Sequence, residues 1–203
     1  MTAFIDPPRR IPWYLKVGIW IAQHVTGKDL LPPKLLAWYP KAAISSGILE
    51  SLVADGKRDL DKRILKIVRI TSSFAASCPF CIDMNSFEFE KCGLTTAELL
   101  ALQEQPELNL APTFSQREKL AIAYAKCISS NPLYFPPALI QELKKHFSER
   151  EIVILASTSA QVNYWARLIQ SLGIPPAGFS NECVWQQQTP VGQPNTHPGD
   201  PTI

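Results

Sequence analysis

The chain has 203 residues, of which 46% are hydrophobic and 19% charged. That balance fits a folded protein with a sizeable core and excludes a disordered one. Its 20 basic and 18 acidic residues leave a formal charge of +2, so nothing points to nucleic acid, which needs a clustered basic face.

The first predicted element covers residues 12–26. Arg9 and Arg10 ahead of Ile11-Pro12-Trp13-Tyr14-Leu15 look like the start of a signal peptide, yet Lys16 interrupts the apolar run and Gln23 and His24 close it. No small-residue cleavage site follows, and the stretch is too short to span a bilayer. It reads as a helix packed in the core or on a partner, with a membrane-surface helix as the alternative.

Residues 34–54 read as a helix that Pro40 can interrupt. Asp59 to Ser77 follow as another, with Ile64, Leu65, Ile67, Val68 and Ile70 facing inward. Pro79 suits a first helical position, so a helix is expected over about 78–92, closed by Gly93. Thr95, Ser115 and Ser148 each precede a glutamate by three residues (Glu98, Glu118 and Glu151), the capping-box spacing that opens a helix. Pro136-Pro137 opens another to about Phe147, and the segment after Ser148 ends at Gly173. No hairpin signal occurs and the β-branched runs lie inside helical-length segments, so the fold class is all-α. The organisation read from these signals is an N-terminal helical extension (1–33), a helical domain (34–185) and a polar, proline-rich tail (186–203) expected to be mobile.

Chemistry concentrates at Cys78-Pro79-Phe80-Cys81. Five cysteines, three of them single (Cys92, Cys127 and Cys183), do not form a disulfide scaffold. They fit a reducing, cytoplasmic compartment, where a close pair is catalytic or metal-binding. A cysteine at a helix start meets free N–H groups and the positive end of the helix dipole, which favour thiolate. With CxxC spacing the second sulfur lies one turn on, so the pair can cycle between dithiol and disulfide.

Two other readings stand beside redox: half of a zinc site, or inert buried thiols. Zinc needs four ligands, and His24, His146, His197 and the remaining cysteines stand far apart in sequence, so no metal is expected. The nine glycines form no phosphate loop, so no nucleotide cofactor is expected either. Asn163, Tyr164 and Arg167 share a helix as a polar cluster or a packing element. Trp13, Trp20, Trp38 and Trp165 read as core or subunit-interface anchors. Phe87 and Phe89 can screen the sulfurs or simply pack.

Three stretches together resemble the AhpD-like, carboxymuconolactone decarboxylase superfamily. They are Arg63-Ile64-Leu65-Lys66-Ile67-Val68-Arg69-Ile70 leading into Ser77-Cys78-Pro79-Phe80-Cys81, then Gly93-Leu94-Thr95, then Ala160 to Arg167 leading to Leu172-Gly173-Ile174-Pro175-Pro176. The likeness spans roughly residues 35–180. It implies an AhpD-like helical bundle, a homo-oligomer (trimer or hexamer), and thiol-disulfide oxidoreductase or alkylhydroperoxidase-like antioxidant activity. Cys78 and Cys81 would be catalytic, a peroxide or disulfide the substrate, and an external thiol the reductant.

Peroxidase members of that superfamily carry a glutamate twelve residues before the first cysteine and a histidine four after the second. Here those positions are Lys66 and Asn85. Neither can relay a proton as the family pair does, although a cation can hold a thiolate by charge. Asp83 and Glu88 lie on the motif helix, but a carboxylate beside a thiolate would disfavour it. A non-catalytic oligomeric scaffold and a decarboxylase-like lyase are the alternative functions.

Overall fold

The computed structural model describes residues 3–54, 59–104 and 113–180. The expected polar tail, His197 and Cys183 lie outside them. The described residues are helical, without strands.

The chain opens with α1 (Trp13–Thr26), α2 (Leu31–Leu36) and α3 (Pro40–Ser51). The predicted helix over 34–54 is two helices: Pro40 occupies the first turn of α3, where its missing N–H costs nothing. The first of the two begins earlier than expected, at Leu31, with prolines in its own first turn.

The hub is α4 (Lys62–Ala75). Asp61 caps it by accepting from the Arg63 N–H at 2.7 Å, and nine of its side chains are buried. It packs against α5 (Pro79–Ser86), α6 (Thr96–Glu104), α7 (Gln116–Ser129) and α9 (Glu149–Ser171), while α8 (Pro137–His146) packs on α7 and α9. Ser115 and Ser148 form the expected capping boxes, and Thr95 and Glu98 exchange the same pair of bonds.

One core joins Leu65 and Val68 of α4 to Leu120 of α7, Leu143 of α8 and Leu155 of α9. A second surrounds Ile67, Ile70, Ile82 and Phe89. A third, taken up below, holds the cysteines.

The predicted helix over 78–92 is shorter than expected. Helix α5 ends at Ser86; Phe87 is extended, Glu88 turns to φ +54°, and a 3-10 turn covers Phe89–Cys92. The carbonyls released by this unwinding are taken up by the basic side chains of α4. Lys66 donates to the Phe87 carbonyl at 2.6 Å, Lys62 to that of Lys91 at 3.0 Å, and Arg63 to that of Gly93. Three cations along one helix thus give these solvent-facing carbonyls a partner within the chain.

Candidate redox site around Cys78 and Cys81

Ser77 turns the chain out of α4 with φ +48°, and Cys78 follows as the N-cap of α5 with Pro79 in the first turn. Two hydrogen bonds fix Cys78. Its N–H donates to the Ser73 carbonyl at 3.2 Å, and its Sγ accepts from the Cys81 N–H at 3.3 Å. Cys78 and Cys81 are joined as a disulfide with their Cα atoms 5.3 Å apart, inside the range a disulfide spans.

Both cysteines are buried, at 0% and 2% exposure. Their cluster includes Leu35 of α2, Phe80 of α5, Ala166 and Ile169 of α9, and Ile174 beyond it. The sulfurs are therefore covered by an apolar shell drawn from both ends of the chain. Phe87 and Phe89 are not part of it: Phe89 sits in the second core, and Phe87 packs on Phe179 with ring centres 5.6 Å apart.

The two supporting residues expected from the sequence lie on different helices, Asn85 on α5 and Lys66 on α4. Asn85 uses its side-chain amide to donate to the Ser73 hydroxyl at 2.9 Å, and that hydroxyl donates to the Arg69 carbonyl at 2.8 Å. Lys66 is bound to the Phe87 carbonyl, at the opposite end of α5 from Cys78. Burial pushes the Lys66 ammonium below its ordinary pKa, with the Arg69 charge acting the same way and Cys92, Glu88 and Glu90 opposing.

Ser73 was not singled out by the sequence reading. It is fully buried and ties down both ends of the motif, Cys78 through its carbonyl and Asn85 through its hydroxyl. Its spacing of seven from Lys66, which sets it on the same face of α4, is the signal that could have found it.

The Asp83 carboxylate is engaged by the segment after α9, accepting from the N–H groups of Ala177 at 2.9 Å, Gly178 at 2.7 Å and Ser180 at 2.8 Å. His24 stacks on Trp20 of α1 with ring centres 4.9 Å apart, and His146 lies in the last turn of α8.

Asn163 donates to the Ser129 hydroxyl and Tyr164 bonds Ser46, while Arg167 is exposed. This is a packing element rather than part of the cysteine cluster. Trp165 borders that cluster and donates to Glu50 at 2.9 Å. Trp13, Trp20 and Trp38 are exposed rather than in the core. Among the described residues no group of three or more His, Cys, Asp or Glu is placed to hold a metal, and no helix is long and apolar enough to cross a membrane.

No protein-family model matches the chain. Its sequence is 25% identical over 178 residues to the uncharacterized protein YnjA of Escherichia coli, covering 86% of this chain and 94% of that one. It is 26% identical over 115 residues to the uncharacterized protein YdfG of Bacillus subtilis, covering 56% and 76% respectively. Among solved structures, an uncharacterized peroxidase-related protein from Ralstonia eutropha with an alkylhydroperoxidase AhpD core superposes with a TM-score of 0.72 at 15% identity, covering 87% of this chain and 93% of that one. The debrominase Bmp8 superposes with a TM-score of 0.71 at 18% identity, with 87% and 93% covered.

Proposed function

Because the chain has the AhpD-like helical fold, we propose that it is a thiol-disulfide oxidoreductase of the alkylhydroperoxidase-like kind, working through Cys78 and Cys81. The observation that carries this reading is the pairing itself: two cysteines one turn apart, bonded to each other, the first forming the N-cap of α5. A reduced Cys78 there meets the free N–H groups and positive dipole end of the helix, which favour the thiolate.

In the oxidising half of the cycle, one thiolate attacks a hydroperoxide oxygen. The sulfur becomes a sulfenic acid, and the alkoxide leaves and is protonated to the alcohol. The second thiol then displaces water from that sulfur and closes the disulfide. A substrate disulfide would instead be taken through a mixed disulfide. An external dithiol returns two electrons and two protons and is itself oxidised.

Of the two oxidants, the side chains favour the disulfide. Asn85 stands where peroxidase relatives of the superfamily carry histidine, and its amide is engaged by Ser73. An amide cannot take a proton at neutral pH, so a peroxide reaction proceeds without the positioned base that typically contributes about 10²–10⁴-fold. The fold alone does not assign the oxidant, since a debrominase shares it. The working form is proposed to be a homo-oligomer, supported by the apolar side chains that α1 and α3 leave exposed, and a cytoplasmic location is proposed from the scattered single cysteines alone.

The test is to reduce the purified protein, expose it to a peroxide or to a small disulfide, and trap free thiols by alkylation. Two fewer labelled thiols, with no such loss in Cys81→Ser, are expected. Unchanged labelling of Cys78 and Cys81 after either oxidant would sink the redox reading and leave a non-catalytic scaffold.

A further inference from the structure

One buried carboxylate has no part in that redox cycle. Asp83 is 7% exposed and follows Cys81 by two positions, which on a helix sets it about 200° round the axis from the reactive sulfur. Both of its oxygens are occupied: Oδ2 accepts from the N–H groups of Ala177 and Gly178, and Oδ1 from that of Ser180. Hydrogen bonds to an ionised acceptor are roughly twice as strong as neutral ones.

The donors belong to residues 174–180, which follow α9 without regular structure. This strap begins at Ile174, a member of the cysteine cluster. It continues through Pro175-Pro176, and Gly178 turns at φ +72°. Two further contacts hold its end. Lys28 donates to the Gly178 carbonyl at 2.8 Å, and the Phe179 ring packs on Phe87. The strap thus crosses from the cysteine side of α5, where Ile174 helps bury the sulfurs, to the Asp83 side, where it is tied down.

We infer that Asp83 is a positioning residue that latches residues 174–180 over the Cys78–Cys81 disulfide, restricting its reduction to small dithiols and excluding protein-sized reductants. The inference rests on the redox reading above and adds the class of reductant to it. A dithiol sulfur must reach one cysteine sulfur: its thiolate forms a mixed disulfide as the Cys78–Cys81 bond breaks. Its second thiol then displaces the other protein thiol and leaves the reductant as its own disulfide. Both sulfurs are buried, so any dithiol needs a local opening: a small one needs only a partial opening, whereas a protein thiol needs the whole strap to lift. The population of the lifted state is set by the contacts that hold the strap down.

The experiment compares the reduction rates of the oxidised full-length protein with dithiothreitol and with a thioredoxin-type dithiol protein, following thiol release by alkylation. The readout is the ratio of the protein-reductant rate to the dithiothreitol rate. Asp83→Ala is expected to raise this ratio about tenfold or more, the factor that follows when a charge-assisted hydrogen bond is lost. Asp83→Asn should fall between, since its single carbonyl oxygen can keep the two bonds of Oδ2 but not the third. Phe179→Ala loosens the strap from its far end without removing any Asp83 bond and should move the ratio the same way, which keeps the test alive if Asp83→Ala fails to fold.

An unchanged ratio in Phe179→Ala and in whichever Asp83 variant folds overturns the latch, even if both rates rise together as general loosening would produce. It leaves the redox reading standing. Failure of dithiothreitol to reduce the folded wild-type protein at all overturns both.

Discussion

The cysteine pair is positioned by a few side chains with separate jobs. Cys78 is the N-cap, Ser73 holds Cys78 from behind and Asn85 from the side, and Lys66 holds the carbonyl at the end of α5. The position of Asn85, four residues after Cys81 and beside the Ser73 hydroxyl, suits an imidazole that bonds Ser73 with one nitrogen and serves the sulfur with the other. Asn85→His is therefore expected to raise peroxide turnover on the order of tenfold or more, with a new limb in the pH–rate profile near the imidazole pKa of about 6.5. No gain and no new limb would show that the missing base is not what limits the reaction. Lys66→Glu is a poor companion change, because it removes the donor from the Phe87 carbonyl and sets a carboxylate in its place.

At the scale of elements, α6 and α7 are held on α4 by ionic contacts. Arg63 bonds Glu118 of α7 at 2.6 Å and pairs with Glu98 of α6, and all three side chains are largely buried. Burial alone would raise the Glu98 carboxyl, but hydrogen bonds from Arg63, Thr95 and Thr113 outweigh it and hold its pKa at about 2. A carboxyl depressed in the folded state contributes stability that is present above its unfolded pKa of about 4.3 and is lost as pH falls through the folded value. Denaturant midpoints of the wild type are expected to fall between about pH 4.5 and pH 2. Arg63→Ala, which leaves two buried carboxylates unpaired, should cost about 3–5 kcal/mol at neutral pH and flatten that acid limb. An unaltered limb would place the acid sensitivity elsewhere.

These elements were legible to different degrees. The capping boxes at Ser115 and Ser148 and the apolar face of α4 are local signals, and the helices they announce are present. The end of α5 was not legible, because it is decided by Lys62, Arg63 and Lys66 reaching across from another helix. The cysteine pair could be read from its spacing and the proline within it. Its apolar cover of Leu35, Ile169 and Ile174, and the Asp83 latch, could not, since those contacts join residues about 40 to 100 positions apart. Gly173 marks the start of the strap for a reason the sequence only hints at. Its φ of +63° suits a helix C-terminus, and a Cβ there would also meet the Phe4 ring at 2.6 Å.

The whole molecule leaves much apolar surface uncovered. Along α1, Trp13, Val17, Trp20, Ile21 and Val25 are exposed, Trp13 at 78% and Val25 at 80%, and so are Ile44 and Ile48 of α3 and Leu52 just after it. Contiguous apolar area of this kind marks an association surface, and α1 buries little against its own chain beyond Leu15. Light scattering is expected to give a mass several times that of one chain, reduced by Trp13→Glu combined with Trp20→Glu. A wild-type mass equal to one chain would contradict the proposed homo-oligomer.

The proposed redox function is tested most directly by equilibrium titration of the native protein in dithiothreitol buffers of stepped potential, with mass-resolved alkylation reporting the state of Cys78 and Cys81. One reversible two-electron transition is predicted, absent in Cys78→Ser and Cys81→Ser. A pair that stays in one state across the whole range, or changes only after unfolding, would contradict it.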